Sequence, residues 1–292
     1  MTTILVTGDT GFVGQALVRE LLSEDNRVIG VSRSTNVDET VSFSPRYRHI
    51  VSSTADLTAE LVGEPVDVVV DLAWAGSMGS DRGDKHIQAQ NVEAAVHTTD
   101  LAAELDAKLY VGVGTITELT ALAPDAPEGP ATVYGLAKHL AHQETKKHAV
   151  DHEIDHIWVR LGNTYSEHDT SGRFLNSTLG KLAKNEPVTL LTGNQPFDFI
   201  HLSDAVRAVH RVIVSGRANE IYYVGNGDVA TIEDFVSVAI NTLGSTSEVD
   251  SHHVEKIGLT PADLDNESLQ AIGYTQTVSF IDGVQRWKHT NS

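Results

Sequence analysis

The sequence contains no cysteine, which excludes disulfide bonds, thiolate metal sites and cysteine nucleophiles. It is also poor in cations, with 21 lysine and arginine residues against 40 acidic residues and a formal net charge of −19. Binding of nucleic acid or of an anionic membrane needs clustered cations, so we expect neither partner. The surplus of carboxylates has two interpretations, an ordinary soluble surface or the hydrated surface of a halophilic protein, and we favour the halophile.

Long apolar runs are missing as well. None approaches the roughly twenty residues that a transmembrane helix needs. No basic segment precedes the first apolar run, Ile4-Leu5-Val6, as it would in a signal peptide. We therefore predict a cytoplasmic protein, and its 292 residues are enough to bury a large core.

Short β-branched runs alternate with amphipathic stretches in the first half of the chain. The predicted strands cover residues 3–7, 27–31, 66–72, 109–113 and 154–161. The predicted helices between them cover residues 12–22, 85–105 and 132–150. Strands and helices that alternate in this way predict an α/β fold with a doubly wound parallel sheet, which binds ligands beyond the carboxyl ends of its strands.

After residue 162 the alternation loosens. We predict helices over residues 174–183, 204–214 and 232–241, strands over residues 188–191 and 221–224, and a polar loop over residues 244–255. We therefore predict a first domain over residues 1–162. A smaller region over residues 163–292 is expected to be interleaved with the sheet and not to fold separately.

The first predicted strand runs into Gly8-Asp9-Thr10-Gly11-Phe12-Val13-Gly14 and then into a helix. Gly8 permits a tight turn, Gly11 lets the backbone approach a pyrophosphate, and Gly14 lets helix and strand pack closely. Phosphates then bind N–H groups at the helix N-terminus. A merely glycine-rich turn is the alternative, but the position between the first strand and the first helix favours a dinucleotide site. We predict that Gly8, Thr10, Gly11, Phe12, Val13 and Gly14 bind the cofactor.

The spacing G-x-x-G-x-x-G resembles the extended short-chain dehydrogenase/reductase superfamily and its epimerase/dehydratase group. Further segments carry the resemblance over nearly the whole chain, at residues 67–73, 114–118, 134–138, 160–163 and 198–201. The resemblance implies a Rossmann fold, an NAD(P)-dependent oxidoreductase and a sugar as substrate. It makes residues 1–162 the dinucleotide-binding domain and residues 163–292 the substrate-binding region. We further expect a homo-oligomer.

Tyr134 and Lys138 lie four residues apart in a helical stretch, so both project from one face. A tyrosine is a poor base near neutral pH, and an adjacent ammonium favours its phenolate. Tyr134 would then take a proton from a substrate hydroxyl or return one. The resemblance implies that Lys138 also binds the nicotinamide ribose and that Thr115 orients the substrate oxygen. The alternative is an ordinary Tyr–Lys pair on a solvated helix face.

The end of the second strand, Val31-Ser32-Arg33, has no acidic residue for a ribose 2′-hydroxyl. Ser32 and Arg33 therefore favour NADP, with NAD possible, although an arginine simply exposed after a strand is the alternative. The resemblance implies an adenine contact at Asp56, which could instead cap a helix over residues 57–61. We predict three more cofactor contacts, at Leu57, Leu72 and Ala73.

Other polar residues near these motifs are given structural or open interpretations. The resemblance implies a structural Asn91, while Glu118 is either near the site or a surface carboxylate. Several histidines lie between residues 139 and 156, namely His139, His142, His148, His152 and His156. Their segment passes from a helix through a loop into a strand, so they cannot share one face. We expect solvated side chains and no metal site.

Two departures from the family pattern bear on the reaction. Sugar dehydratases of the family carry an Asp-Glu pair directly after the active-site threonine, but here Ile116-Thr117 follow, so we expect no dehydration. Nucleotide-sugar members bind the diphosphate with two arginines, one of them directly before the Asp198 segment, where this chain has Phe197. No arginine lies between Arg217 and Arg286 for the second. Two cations outside the matching motifs are possible substitutes, Arg173 and Lys256.

These departures favour an uncharged substrate. The leading hypothesis is a free-sugar (aldose) dehydrogenase that uses NADP, with weak binding of UDP and other nucleotides. Four residues are predicted to contact the sugar, Thr115, Tyr134, Asn163 and Phe197. The alternative is a nucleotide-sugar 4-epimerase or 4-ketoreductase, which the resemblance favours. A cofactor-binding regulator without turnover is a remote third hypothesis.

Overall fold

A computed structural model describes residues 1–124, 126–192, 196–253 and 259–291. Its β-strands are β1 Thr3–Thr7, β2 Arg27–Ser32, β3 Tyr47–Val51, β4 Val68–Asp71, β5 Leu109–Thr115, β6 Asp155–Leu161, β7 Asn163–Tyr165, β8 Val188–Thr192, β9 Phe199–His201, β10 Ile221–Val224 and β11 Val249–His253. Its α-helices are α1 Phe12–Ser23, α2 Glu39–Ser42, α3 Ala59–Val62, α4 Lys85–Glu104, α5 Thr117–Ala121, α6 Pro130–Asp151, α7 Phe174–Ala183, α8 Leu202–Ser215, α9 Ile232–Leu243, α10 Glu267–Ala271 and α11 Phe280–Asn291. Short 3₁₀ helices cover Ser80–Gly83 and Pro261–Leu264.

Over the described part of the chain, seven strands form one sheet in the order β10-β6-β5-β4-β1-β2-β3. The strands from β3 across to β6 pair in parallel, with Leu5 of β1 opposite Ile29 on one side and Val69 on the other. All four residues of β4 are buried, as expected for a central strand covered on both faces. The predicted doubly wound parallel α/β fold is confirmed.

The long helices next to the sheet begin where the sequence provides capping residues. The Asp84 side chain accepts hydrogen bonds from the N–H groups of His86 and Ile87 and so caps α4. Helix α6 follows Gly129 and begins with Pro130, whose fixed φ suits the first helical position. These two helices carry several residues of the site described below.

The chain divides into two compact units. The first contains residues 1–161 and 206–222, and the second contains residues 162–205 and 223–292. The predicted boundary at residue 162 therefore coincides with the first passage between units, but residues 206–222 return to the first unit. Assignment of the later region to substrate binding stays a prediction.

Each unit has its own core. In the first unit, residues of the central strands, including Leu5, Val69 and Tyr110, pack with Leu57, Leu101 and Leu105 of the covering segments. In the second unit the core is rich in aromatic side chains, namely Tyr165, Phe199, Phe235, Phe280 and Trp287.

Two local predictions were wrong. Strand β3 was not foreseen, because its polar Tyr47-Arg48-His49 segment lies at the sheet edge, where burial does not impose an apolar pattern. Within the predicted loop over residues 244–255, β11 instead pairs in parallel with β8, and residues 254 and 255 lie outside the described residues. Among the described helices, none has both the length and the apolar character needed to cross a membrane.

Candidate active site

The glycine loop forms the tight turn that the sequence predicts. Gly8 has a φ of 69°, and a Cβ on it would lie 3.0 Å from the backbone of Ala73. A Cβ on Gly14 would lie 2.1 Å from the Gly8 carbonyl oxygen. Gly11 is the N-cap of α1 and supplies no side-chain acceptor. The N-terminus of α1 therefore has no side-chain cap, and the loop before it leaves no room for a Cβ at Gly8 or Gly14. Both features fit the pyrophosphate of a dinucleotide.

The ends of β1 and β4 are tied together beside this loop. The Thr7 hydroxyl donates to the buried Asp71 carboxylate and accepts from the N–H groups of Leu72 (3.1 Å) and Ala73 (3.0 Å). Tyr110 donates a second hydrogen bond to Asp71, at 2.9 Å. Burial raises the pKa of Asp71, and the hydrogen bonds from Thr7 and Tyr110 oppose that rise. These bonds place Leu72 and Ala73, both predicted cofactor contacts, next to Gly8.

The end of β2 also faces the glycine loop. The Thr10 hydroxyl donates to the Ser32 hydroxyl at 2.9 Å, and Arg33 is exposed beyond the strand. Phe12 and Val13 are half-buried at the start of α1. The structure thus gathers the predicted glycine-loop residues and the predicted specificity residues at one edge of the sheet.

A carboxylate that sequence reasoning missed lies beside β2. Asp9 is buried, accepts from the Tyr47 hydroxyl at 2.5 Å and is bonded to Nδ1 of His49 at 2.7 Å. It packs against Gly30, where a Cβ would lie 2.0 Å from the Asp9 carboxylate. The signal was the glycine inside an otherwise β-branched strand, which marks a close approach.

The alternative role of Asp56 as a helix cap is wrong, whereas its contact with adenine stays a prediction. Thr58, not Asp56, caps α3, which begins at Ala59 and so is shorter than the helix predicted over residues 57–61. Asp56 is exposed and accepts from the Ser53 hydroxyl at 2.6 Å. Leu57 is fully buried in the first unit's core, and its carbonyl oxygen is bonded to Nε2 of His97 at 2.8 Å, so its contact with a cofactor stays a prediction.

Tyr134 and Lys138 are both buried on α6, at 9% and 5% exposure, so the solvated-face alternative is wrong. The Lys138 ammonium donates to the carbonyl oxygen of Val113 at 2.6 Å and lies 3.7 Å from the centroid of the Trp74 ring. Burial lowers the pKa of Lys138 to about 8, although Asp71 and Glu118 oppose the shift. The lysine is therefore fixed at the carboxyl end of β5, one helical turn from the tyrosine.

Thr115 and Tyr134 are connected through a residue that the sequence did not reveal. The Thr115 hydroxyl lies 3.2 Å from the Thr117 hydroxyl, which accepts from Nη2 of Arg82 at 3.1 Å. The Arg82 guanidinium lies 4.6 Å from the centroid of the Tyr134 ring. Arg82 sits in a 3₁₀ helix with no recognisable motif, so no pattern pointed to it.

Glu118 is completely buried, so its interpretation as a surface carboxylate is wrong. It accepts from the backbone N–H of Thr115 at 2.8 Å, from Nε1 of Trp158 at 3.1 Å and from Nε of Arg160 at 3.3 Å. A Cβ on Gly114 would lie 2.0 Å from the same carboxylate. Glu118 therefore fixes the backbone at Thr115 and balances the charge of Arg160.

Asn91 of α4 holds the loop that follows β4. Its side-chain amide donates to the carbonyl oxygen of Ala75 at 2.8 Å and accepts from the Ala75 N–H at 2.9 Å. Two hydrogen bonds to one backbone residue give Asn91 the structural role that the resemblance implies.

The other predicted substrate contacts lie in the second unit. The Asn163 amide donates to the carbonyl oxygen of Asp198 at 3.1 Å. Phe197 pairs with Ala230 through the backbone, and its ring lies 6.2 Å from the ring of Phe199. Position 197 is thus part of an aromatic cluster and presents no cation. Of the two substitute cations, Arg173 pairs with Asp169 at 3.0 Å, and Lys256 lies outside the described residues.

The prediction of solvated histidines is wrong for two of the five. His142 and His156 are buried and stack on Trp158, with ring centroids 4.8 and 6.2 Å away. Burial lowers the pKa of His142 to about 3 and that of His156 to about 4, so both are neutral.

The expectation that the histidines cannot converge was incomplete, because it ignored carboxylates from other helices. Ligand-type atoms lie within 4.8 Å of one another in two clusters, Asp100 with His148 and His152, and Glu118 with His139 and His142.

The comparisons with known proteins agree with this geometry. Residues 4–225 match the NAD dependent epimerase/dehydratase family. The chain belongs to this family. A putative UDP-glucose 4-epimerase from Methanocaldococcus jannaschii is 22% identical and covers 99% of each chain. The dTDP-6-deoxy-L-talose 4-dehydrogenase (NAD(P)(+)) of Kitasatospora kifunensis is 26% identical over 84% of this chain and 80% of its own. The predicted family and oxidoreductase class are confirmed.

Solved structures give the same fold. The UDP-glucuronic acid 4-epimerase of Bacillus cereus, in complex with UDP-glucuronic acid and NAD, has a TM-score of 0.81 at 18% identity and covers 99% of this chain and 98% of its own. The dTDP-glucose 4,6-dehydratase DesIV of Streptomyces venezuelae, with NAD bound, has a TM-score of 0.81 at 23% identity, with 99% and 97% covered.

Proposed function

We propose that this chain is an NAD(P)-dependent oxidoreductase of nucleotide sugars that acts as a 4-epimerase or 4-ketoreductase. The buried pair of Tyr134 and Lys138, with Lys138 bonded to Val113 at the end of β5, is the observation that carries the proposal. The names of several relatives, given above, supply the substrate class. Nucleotide sugars therefore replace the free aldose as the leading substrate class. The free aldose had been favoured because the sequence lacks the two arginines with which nucleotide-sugar members bind the diphosphate.

The site residues suit a reversible oxidation of a carbinol. Tyr134 takes the hydroxyl proton while a hydride leaves the same carbon, which becomes a ketone. NAD(P), when bound, would supply the hydride acceptor, and Lys138 would hold its nicotinamide ribose. In a 4-epimerase the ketone is then reduced from its opposite face. In a 4-ketoreductase the ketone is the substrate, and Tyr134 supplies the proton.

Elimination of water needs one more acid and one more base. Ile116 and Thr117, which follow Thr115, provide neither. Glu118 is the next carboxylate along the chain, but its oxygens are held by the N–H groups of Thr115, Trp158 and Arg160. These bonds support a reaction without dehydration, even though dehydratases occur among the relatives.

The free-sugar dehydrogenase stays as a second candidate because of one observation. Position 197, where nucleotide-sugar members of the family place an arginine, carries a phenylalanine in an aromatic cluster. A diphosphate would need cations from elsewhere in the chain. The bidentate geometry of arginine is difficult to replace at phosphate oxygens.

The choice of dinucleotide is a finer part of the proposal. Ser32 and the exposed Arg33 at the end of β2 favour NADP, because an arginine accommodates the 2′-phosphate. Asp9 provides a carboxylate beside the same strand, but it is buried and its Oδ2 is bonded to Tyr47 and His49. We therefore propose a preference for NADP, although the solved relatives described above contain NAD.

Calorimetry with UDP, dTDP, CDP and GDP, each with cofactor present, tests the substrate class. We expect one of the four to bind with a micromolar Kd, and its sugar conjugate to yield a C4 epimer by NMR or its 4-keto form to consume NAD(P)H. A Tyr134→Phe variant should keep the nucleotide affinity and lose the conversion. If all four nucleotides bind only above the millimolar range while a free aldose drives NAD(P)H formation, the second candidate is correct.

A further inference from the structure

A cluster of one carboxylate and two imidazoles lies at the C-terminal ends of α4 and α6. Nδ1 of His148 lies 2.7 Å from Oδ1 of Asp100, and Nε2 of His152 lies 3.0 Å from the same oxygen. His148 is in the last turn of α6, and His152 is the residue that ends it. The three side chains are 31–41% exposed, so an ion from solvent can reach them.

The cluster has the donor set and spacing of a transition-metal site. Its two nitrogens and one oxygen all lie within 4.8 Å of one another. Zinc bonds of about 2.0–2.1 Å in tetrahedral geometry separate neighbouring ligand atoms by roughly 3.3 Å, so the contacts of 2.7 and 3.0 Å with Asp100 would lengthen by about 0.6 and 0.3 Å. Histidines at positions i and i+4 of a helix present their rings on one face, as zinc-binding helices do.

The protonation state of the cluster suits a cation. Burial acts to raise the pKa of Asp100, but hydrogen bonds and charge from His148 and His152 outweigh it and hold that pKa below its usual range. The carboxylate is therefore ionised at neutral pH. Each imidazole contacts Asp100 through one ring nitrogen, Nδ1 of His148 and Nε2 of His152. A metal ion bound between the three side chains would replace the protons of these hydrogen bonds.

The second cluster, formed by Glu118, His139 and His142, is a weaker candidate. Glu118 already accepts from Thr115 and Trp158, and Nε of Arg160 lies 3.3 Å from it. A divalent ion there would stand beside a guanidinium and displace hydrogen bonds that position Thr115. Among the described residues, the hydrogen bonds to the Asp100 carboxylate come from His148 and His152, which would themselves be ligands.

We propose that Asp100, His148 and His152 bind a first-row divalent transition metal, with Zn²⁺ the best match. Two imidazoles and one carboxylate select such ions over Mg²⁺ and Ca²⁺, which prefer oxygen ligands. Three protein ligands leave the fourth position to water.

The bound ion would link α4 to α6, and its role would be structural. His148 lies 14 residues after Tyr134 on α6, a distance of roughly 21 Å along the helix. The ion is therefore too far away to take part in proton or hydride transfer at Tyr134. It would instead stabilise the two helices that carry Asn91, Tyr134 and Lys138.

Metal titration of the tag-free, chelator-treated chain tests the proposal. We expect one Zn²⁺ or Co²⁺ per chain with a Kd in the micromolar range or tighter, Co²⁺ absorption bands of a low-coordinate site, and no comparable binding of Mg²⁺. At a hundredfold excess over Kd, Zn²⁺ should raise the Tm by about 5 °C or more.

Matched variants locate the ion. His148→Gln and His152→Gln should each weaken binding at least tenfold, and the double variant should abolish stoichiometric binding. His252→Gln removes an exposed histidine that is likewise paired with an aspartate, Asp250 at 3.0 Å, and should leave binding unchanged. Circular dichroism in chelator should show all variants folded, since the changed side chains are partly exposed.

Two outcomes would overturn the proposal. One is wild-type binding no tighter than that of the double variant. The other is loss of binding in His139→Gln with retention in His148→Gln, which would move the ion to the Glu118 cluster. Neither outcome depends on the sugar substrate, so the metal site and the proposed function can fail independently.

Discussion

In the first unit, the buried carboxylates Glu118 and Asp71 are bonded to residues beside Thr115 and the glycine loop, whereas in the second unit buried carboxylates are bonded to loop backbone and to neutral hydroxyl groups. Glu118 binds Arg160 and Trp158, and Asp71 binds Thr7 and Tyr110. In the second unit, by contrast, Asp204 accepts from the N–H groups of Thr277 and Val278.

Asp198 of the second unit resembles Asp204, since it accepts from the Gly227 N–H at 3.0 Å and from the neutral Tyr223 hydroxyl at 3.1 Å. Burial raises its pKa to about 6. Carboxylates bonded to the backbone fix loops and scaffold. Carboxylates bonded to other side chains can also set the position and charge of reacting groups. The comparison teaches that burial of charge alone does not mark a catalytic site, and that the residues bonded to the carboxylate must also lie beside the reacting groups.

Tyr134→Phe should have the largest effect, and this effect should be confined to the chemistry of the first unit. It removes only the transferable proton and the hydroxyl, so the fold and cofactor affinity should persist. General acid–base groups typically contribute about 10²–10⁴-fold, and turnover should fall by that factor. Steady-state rates and cofactor binding measure it. Turnover within a few-fold of wild type would remove Tyr134 from the mechanism.

A paired comparison of Glu118→Gln and Asp204→Asn sharpens the contrast between the units. Glu118→Gln breaks a buried ion pair with Arg160 and turns an amide towards the Thr115 N–H, so it should cost about 3 kcal/mol of unfolding free energy and also lower kcat. Asp204→Asn weakens hydrogen bonds to charge and should cost about 1.5–3 kcal/mol with kcat unchanged for the folded fraction. Denaturant unfolding and kinetics on the same samples give both numbers. An equal fall of kcat in the two variants would erase the distinction.

The smallest effect concerns the dinucleotide. Ser32→Asp combined with Arg33→Ala places a carboxylate where a 2′-phosphate would lie, so the ratio of NADP to NAD efficiency should fall by about tenfold or more, an effect of roughly 1.4 kcal/mol. The ratio of kcat/KM for the two cofactors is the measurement. A wild-type protein that already prefers NAD by tenfold would show that Arg33 does not bind the phosphate.

Much of the fold was predictable because parallel strands buried on both faces leave continuous β-branched runs, as at β1 and β4. The glycine loop, Tyr134 and Lys138 were predictable because their chemistry requires fixed residue types at fixed spacings. Arg82 was not, since it reaches the site through tertiary contacts that leave no local pattern, whereas the only sequence signal for Asp9 was the glycine at position 30 of β2. The halophilic surface rests on composition alone and stays a prediction, as does the homo-oligomer.

The three tryptophans of the chain follow the division between the units. Trp74 and Trp158 belong to the first unit, one against the Lys138 ammonium and the other bonded to Glu118, while Trp287 lies in the aromatic core of the second. Replacement of Trp287 by phenylalanine would therefore leave emission from the first unit only. Because the indole of Trp158 contacts both Glu118 and His142, its emission should report changes of charge next to Thr115. Trp158 is thus an optical probe within the molecule. Because the sequence has no cysteine, a single introduced cysteine would be the only thiol that a second optical probe can label.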